Sequence, residues 1–221
     1  MFDRVLIAED HESASISVRK TLDDLRVPHT DYVFYCDDAL SKIITGNKLG
    51  RPYDLLIADL YFDDDGIPQK ITNGIDLVAA ARIEQPSLKV LVFSGENKAS
   101  VLDSLFNQYG IDGYVRKARN DSKELRQALE QLAQNKKYLP RHISQLIDKK
   151  NAYEFSDLDI TIISLLANGI SQKNIPEHLE ERQLRPSGLS SVEKRLKQMR
   201  TELDFTKNEQ LVAFCKDMGI I

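Results

Sequence analysis

The 221-residue chain has no tryptophan, two cysteines, ten glycines and seven prolines, and each scarcity removes a class of protein. Two cysteines, Cys36 and Cys215, lie far apart in apolar runs without metal or redox spacing, which excludes a disulfide scaffold and leaves buried thiols. Few glycines and prolines, with 42% hydrophobic residues and 29% charged, exclude collagenous and disordered chains. Long apolar runs are also missing. The stretch Ile160 to Ile170 falls short of the roughly 18 residues of a membrane span, and the start of the chain lacks a signal-peptide pattern, so a cytoplasmic protein with no membrane partner is expected.

What is present is a charge pattern. Residues 1–134 carry 16 Lys and Arg against 22 Asp and Glu, residues 135–150 carry 5 against 1, and residues 151–221 carry 9 against 11. A short basic segment separates two acidic blocks, which predicts two domains, 1–134 and 155–221, with a linker over 135–154 that is partly helical around Ile143 to Ile147.

In the first block, the runs Val5 to Ala8, Tyr32 to Cys36, Leu55 to Leu60, Val90 to Phe93 and Ile111 to Val115 read as five strands. Between them lie amphipathic stretches, such as Ile75, Val78, Ala79 and Ile83, or Leu125, Ala128, Leu129 and Leu132. The alternation predicts an α/β domain with a five-stranded parallel, doubly wound sheet. Runs that are apolar on both faces, such as Leu55 to Ala58, suit central strands covered on both sides. The second block reads as four helices: Leu158, Ile162, Leu165 and Leu166 share a face that Gly169 ends; Ser171 is a candidate cap for a helix with Ile175 and Leu179; Ser190 to Leu203 carries Val192, Leu196, Met199 and Leu203; and the last includes Leu211, Val212, Cys215 and Met218.

Ligands of open parallel sheets bind beyond the carboxyl ends of the strands. There the sequence puts Glu9 and Asp10, Asp59, Ser94 and Lys117. Converging carboxylates need a cation, and hard oxygen donors favour Mg²⁺. A lysine and a hydroxyl facing the same point suit phosphoryl oxygens, so the chemistry implied is phosphoryl transfer to a carboxylate.

These residues, over roughly 1–134, resemble the receiver domain of two-component response regulators, a flavodoxin-like fold. The resemblance implies that Asp59 is phosphorylated, that Glu9, Asp10, Asp59 and the backbone carbonyl of Tyr61 hold Mg²⁺, that Lys117 and Ser94 meet the phosphoryl group, and that Tyr114 turns inward on activation. The loop after Asp59 is about seven residues longer than usual, with the matching glycine at Gly74, a lengthening shared by the Rcs-type subgroup; its Asp63, Asp64 and Asp65 read as a solvated acidic stretch.

Residues 155–221 resemble the four-helix LuxR-type helix-turn-helix domain, in the stretches Phe155 to Gly169, Ser171 to Leu179, Ser191 to Leu203 and Gln210 to Val212. Together the two halves resemble the NarL/FixJ class. That implies a phosphorylation-dependent transcription regulator without turnover activity, a sensor histidine kinase or phosphotransfer protein as donor, double-stranded DNA as target and a homodimer on phosphorylation. The implied DNA-contacting residues are Ser190, Ser191, Lys194, Arg195, Lys197 and Arg200, supported by Arg182, Arg185, Lys136, Lys137, Lys149 and Lys150. Leu211, Val212, Cys215 and Met218 are candidates for a dimer contact or for core packing. Three departures stand out: an insertion around Glu180 to Pro186, Gly188 where a capping serine belongs so that Ser187 or Ser190 would cap instead, and Pro176 inside the scaffold helix. The alternative is a signalling protein whose degenerate helix-turn-helix docks another protein.

Overall fold

The computed structural model describes residues 2–119 and 121–221, without the side chain of His142. The chain forms two compact units, one of Met1–Asn97 with Ser104–Pro140, the other of Lys98–Asp103 with Arg141–Ile221.

The first unit is built on five parallel strands, β1 (Arg4–Ala8), β2 (His29–Val33), β3 (Leu55–Ala58), β4 (Lys89–Ser94) and β5 (Gly113–Arg116), in the order β2-β1-β3-β4-β5. Period-two alternation sends successive residues to opposite faces. Val5, Ile7, Leu55 and Ile57 pack with Val18 and Leu22 of α1 (Glu12–Asp24) and with Leu125 and Leu129 of α5 (Asp121–Ala133). Leu6, Ala8, Leu56 and Ala58 pack with Ala39 and Ile43 of α2 (Cys36–Lys48) and with Leu77 and Ala81 of α3 (Gly74–Glu84). A fourth helix, α4, spans Ala99–Asn107. The strand order reverses between β1 and β3, and that switch point opens the crevice in which Glu9, Asp10 and Asp59 meet.

The expected second strand is displaced. Tyr32 to Cys36 was the apolar run, yet the strand is His29–Val33, because an edge strand takes its register from backbone pairing with β1, Arg4 opposite His29 through Ala8 opposite Val33. Tyr35 is the residue before α2, and Cys36 is its first, buried residue. The segment expected as a linker divides: Tyr138 runs beside β5, accepting from the Tyr114 amide at 2.9 Å and donating to the Asp112 carbonyl at 3.0 Å, whereas α6 (Arg141–Asn151) belongs to the second unit.

That unit continues with α7 (Asp157–Ala167), α8 (Ile175–Glu181), α9 (Leu189–Glu202) and α10 (Asn208–Asp217). Gly169, at φ +83°, stops α7 where expected. Helix α8 starts late, at Ile175, so Pro176 falls in the first turn, where its missing N–H costs nothing, and Ser171 is not the cap. Neither expected serine caps α9: Gly188 occupies that position, and Ser187 Oγ donates to Glu180 at 3.3 Å. Leu211, Cys215 and Met218 are buried with Leu196 and Met199, which assigns them to the core.

The start of α7 and the middle of α9 are joined by charge. Asp159, fully buried, closes a capping box with Ser156 and accepts from Arg195 Nε at 2.8 Å and Nη2 at 2.6 Å; Arg195 also donates to Ser156 Oγ at 2.6 Å. Removing one partner of a buried pair strands the other. Arg195→Ala should therefore destabilise the second unit by about 3 kcal/mol, against under about 0.5 kcal/mol for the exposed Lys194→Ala, in denaturant melts followed by circular dichroism.

In the first unit Asp31 accepts from the Tyr53 hydroxyl at 2.6 Å, with Lys42 at 3.4 Å and Arg4 at 3.5 Å. The tyrosine hydrogen bond, then the two cations, hold its pKa below the usual value, against the opposing effect of burial. A depressed folded pKa gives stability that is present above the unfolded value, about 3.9, and lost as pH falls through the folded one. On acidification below about pH 4 the native chain should lose stability more steeply than Asp31→Asn, read as the urea midpoint against pH.

Candidate functional site

The loops after β1, β3, β4 and β5 bring Glu9, Asp10, Asp59, Ser94 and Lys117 to one crevice. Strands β1, β3 and β5 end one residue before Glu9, Asp59 and Lys117, and Ser94 is the last residue of β4, so the fully buried runs Val5 to Ala8 and Leu55 to Ala58 hold the acids at fixed height above the core. Lys117 Nζ lies 2.6 Å from Glu9 Oε2 and 2.6 Å from Asp59 Oδ2, spanning the two buried carboxylates. The other Asp59 oxygen accepts from the Leu60 amide at 2.6 Å. Asp10, partly exposed, accepts from the Asp63 amide at 2.6 Å and pairs with His11 Nδ1 at 2.8 Å.

Burial of Glu9 disfavours its charge and raises its pKa, although the Lys117 hydrogen bond and charge pull the other way. Burial of Lys117 also opposes its charge, but hydrogen bonds and charges from Asp59 and Glu9 outweigh that and raise its pKa. The hydrogen bond to Asp10 raises that of His11. One donor atom from each of Glu9, Asp10, His11 and Asp59 lies within 4.8 Å of the others. Such a group of acids, balanced chiefly by one ammonium, fits a hard divalent cation.

Ser94 completes the crevice on the β4 side. It is fully buried, and among the described residues its Oγ has no hydrogen-bond partner. An orphaned buried hydroxyl beside a lysine is costly unless an acceptor oxygen arrives to take its proton. Tyr114 stands inward, its ring buried and its hydroxyl donating to the carbonyls of Ser94 (3.0 Å) and Glu96.

Several contacts escaped the sequence. The exposed Tyr61 pairs with Asn73 in an antiparallel bridge, and its hydroxyl donates to the Glu96 carboxylate, a bond that pushes its pKa up to about 12. Tyr32 donates from its hydroxyl to the Glu9 carbonyl at 2.5 Å. These pairings join loops distant in sequence and leave no local pattern. The role of Gly74 was legible in part: its amide donates to the Leu60 carbonyl at 3.0 Å, and a Cβ there would lie 1.8 Å from the Asp59 carbonyl oxygen.

On α9 of the second unit, Ser190, Lys194 and Lys197 are exposed and Ser191 half-buried. Arg195 is half-buried, its guanidinium donating to Asp159 and Ser156. Arg200 is half-buried and donates to Asn208 at 2.6 Å.

No family model matches the chain. The chain is 27% identical over 180 residues, 79% of each chain, to the transcriptional regulatory protein RcsB of Escherichia coli strain K12, and equally to RcsB of Salmonella typhi. Among solved structures, it resembles two RcsB dimers bound to two parallel DNAs, with TM-score 0.57 and 23% identity over 97% of this chain and 98% of that one. It also resembles the isolated REC domain of RcsB from Salmonella enterica serovar Typhimurium in the presence of the phosphomimetic BeF₃⁻, with TM-score 0.51 and 25% identity over 64% of this chain and 96% of that one.

Gly74→Ala forces the Asp59 backbone aside. Divalent-cation affinity should fall by about tenfold or more, because a displacement near 1 Å costs that much, and the urea midpoint should fall with it, because the clash is with buried backbone. With no tryptophan in the chain, tyrosine fluorescence reports the titration.

Proposed function

We propose that the chain is a two-component response regulator of the NarL/FixJ class, a cytoplasmic transcription regulator that accepts a phosphoryl group on Asp59 and binds DNA through its second unit. The observation that supports this most directly is the crevice in which Lys117 bridges Glu9 and Asp59 while the Ser94 hydroxyl lies buried and unpaired.

An Asp59 carboxylate oxygen attacks the phosphorus of a donor phosphohistidine. The new O–P bond forms as the P–N bond breaks, and the departing imidazole takes up a proton. Asp10, Asp59, the Tyr61 carbonyl and, acting through water, Glu9 would hold Mg²⁺, which would supply charge neutralisation for the phosphoryl oxygens. Lys117 gives one phosphoryl oxygen an ammonium partner in place of the two carboxylates, and Ser94 Oγ donates its proton to another. Filling the Ser94 position stabilises the inward Tyr114, and with it one arrangement of the β4 and β5 loops, which is the two-state element a switch requires. The chemistry acts on the protein itself, so no turnover of an external substrate is assigned.

The DNA-facing residues of this reading are Ser190, Ser191, Lys194, Lys197 and Arg200, with Arg195 as the residue that positions their helix. Helix α9 presents its exposed lysines to the major groove, and a homodimer sets two such helices one helical turn apart. Arg182, Arg185 and the lysines of 136–150 add phosphate contacts around the groove.

In enrichment of genomic fragments at fixed salt, beryllofluoride with Mg²⁺ should strengthen selective binding by the native chain and leave Asp59→Asn unchanged. Lys194→Ala with Lys197→Ala should weaken binding on all fragments and flatten the slope of log affinity against log salt by about 2. An unaltered salt slope would sink the placement of α9 in the groove, and binding by a protein ligand in place of DNA would favour the docking alternative.

A further inference from the structure

The long loop after β3 builds more than a cover. It is ordered by side-chain ties at both ends: the Asp63 amide donates to Asp10, the Tyr35 hydroxyl donates to Asp65 at 2.6 Å, and the Lys70 and Ile71 amides donate to Asp37 at 2.7 and 3.0 Å. A long irregular loop of this kind in a compact domain is usually functional. Between it and the turn that enters α2 lies a cavity of ≈ 840 Å³, within the range of small-molecule sites.

The walls have two chemistries. Phe34, Tyr35, Phe62 and Ile71 supply aromatic and aliphatic surface, and Phe34 is 48% exposed, its ring packed edge-on against Tyr32 at 4.6 Å. Asp10, Asp63, Asp64 and Asp65 supply carboxylates, and among the described residues no lysine, arginine or histidine lines the cavity. Two of the acids are consumed by structure: Asp64 caps the Gly66 amide at 3.0 Å, and Asp65 takes the Tyr35 hydroxyl and the Ile67 amide. Asp63 is left open, its carboxylate 88% exposed and, among the described residues, the His11 ring at 3.9 Å its one ion-pair neighbour. Aromatic side chains beside four carboxylates, which outnumber the His11 ring paired with Asp10 and near Asp63, attract a cation carried on an apolar body.

We propose that this cavity binds a small organic cation, an amidinium or ammonium on an aromatic or aliphatic body, and that its occupancy opposes Mg²⁺. The second half rests on the reading of Asp10 as a metal ligand: the same carboxylate faces the cavity, so a second cation there competes for its charge. The effect is reciprocal, each ligand weakening the other by the same factor.

The test uses the full chain and benzamidine as probe, with neutral benzamide as its near-isostere, followed by saturation-transfer NMR and titration calorimetry. Benzamidine should bind at least about fivefold tighter than benzamide, and Phe34→Ala and the double change Asp63→Asn with Asp65→Asn should each remove most of that preference. Phe34 is exposed and outside the phosphoryl site, so Phe34→Ala should keep its response to beryllofluoride, which shows that it folds. Equal binding of the two probes, or benzamidine binding indifferent to both variants, would overturn the site. Mg²⁺ should lower benzamidine affinity by about threefold or more, and Mg²⁺ affinity should fall equally when benzamidine is present. If Mg²⁺ binds and neither ligand affects the other, the coupling is wrong. If Mg²⁺ does not bind at all, the metal reading of Glu9, Asp10 and Asp59 fails while the benzamidine preference still decides the cavity.

Discussion

A single ammonium group holds two buried carboxylates together above the sheet. Lys117 sits at contact distance from both Glu9 and Asp59, and without it the acids gathered at the switch point would repel one another in a region largely withdrawn from water. Everything else about the crevice follows from that contact. The parallel sheet is needed because only strands running in the same direction deliver their carboxyl ends to one edge, and the apolar runs behind the acids are needed because the sheet must be anchored on both faces to keep them there. On the proposed function the cluster is poised, since an arriving phosphoryl group would offer the lysine oxygens in place of those it now holds.

The second unit repeats the logic with one charge pair. Asp159 is wholly buried and would be intolerable alone, and Arg195 reaches it from the middle of α9. The pair fixes α9 against the start of α7 while the neighbouring Lys194 and Lys197 stay exposed. Residues on the same helix are thereby divided between holding its position and facing solvent.

The strand-end residues were legible because each sits directly after a buried apolar run, and a run of that kind is visible without coordinates. The loop glycine was legible from its distance beyond Asp59, although the 1.8 Å approach that demands it was not. Position on an edge strand was misread, because β2 borrows its register from β1 and its apolar residues serve the turn that follows. The tie from Arg195 to Asp159 was not legible, because its spacing with Lys194 and Lys197 describes a basic helix face and only the tertiary fold brings Asp159 to it. The Tyr61 and Tyr32 hydroxyl bonds had no signal at all, since they join segments that share nothing in sequence. The late start of α8 was foreshadowed by Pro176, whose ring is harmless only in a first turn.

The bridge between Tyr61 and Asn73, with the Gly74 amide on the Leu60 carbonyl, pinches the long loop closed at its neck. Ring closure in a flexible chain costs only logarithmically more as the ring grows. Whatever lies beyond the neck can therefore lengthen, shorten or change composition at small cost while Asp59 stays where it is. The loop is in effect a cassette, free to diversify, mounted beside a reaction centre that is not.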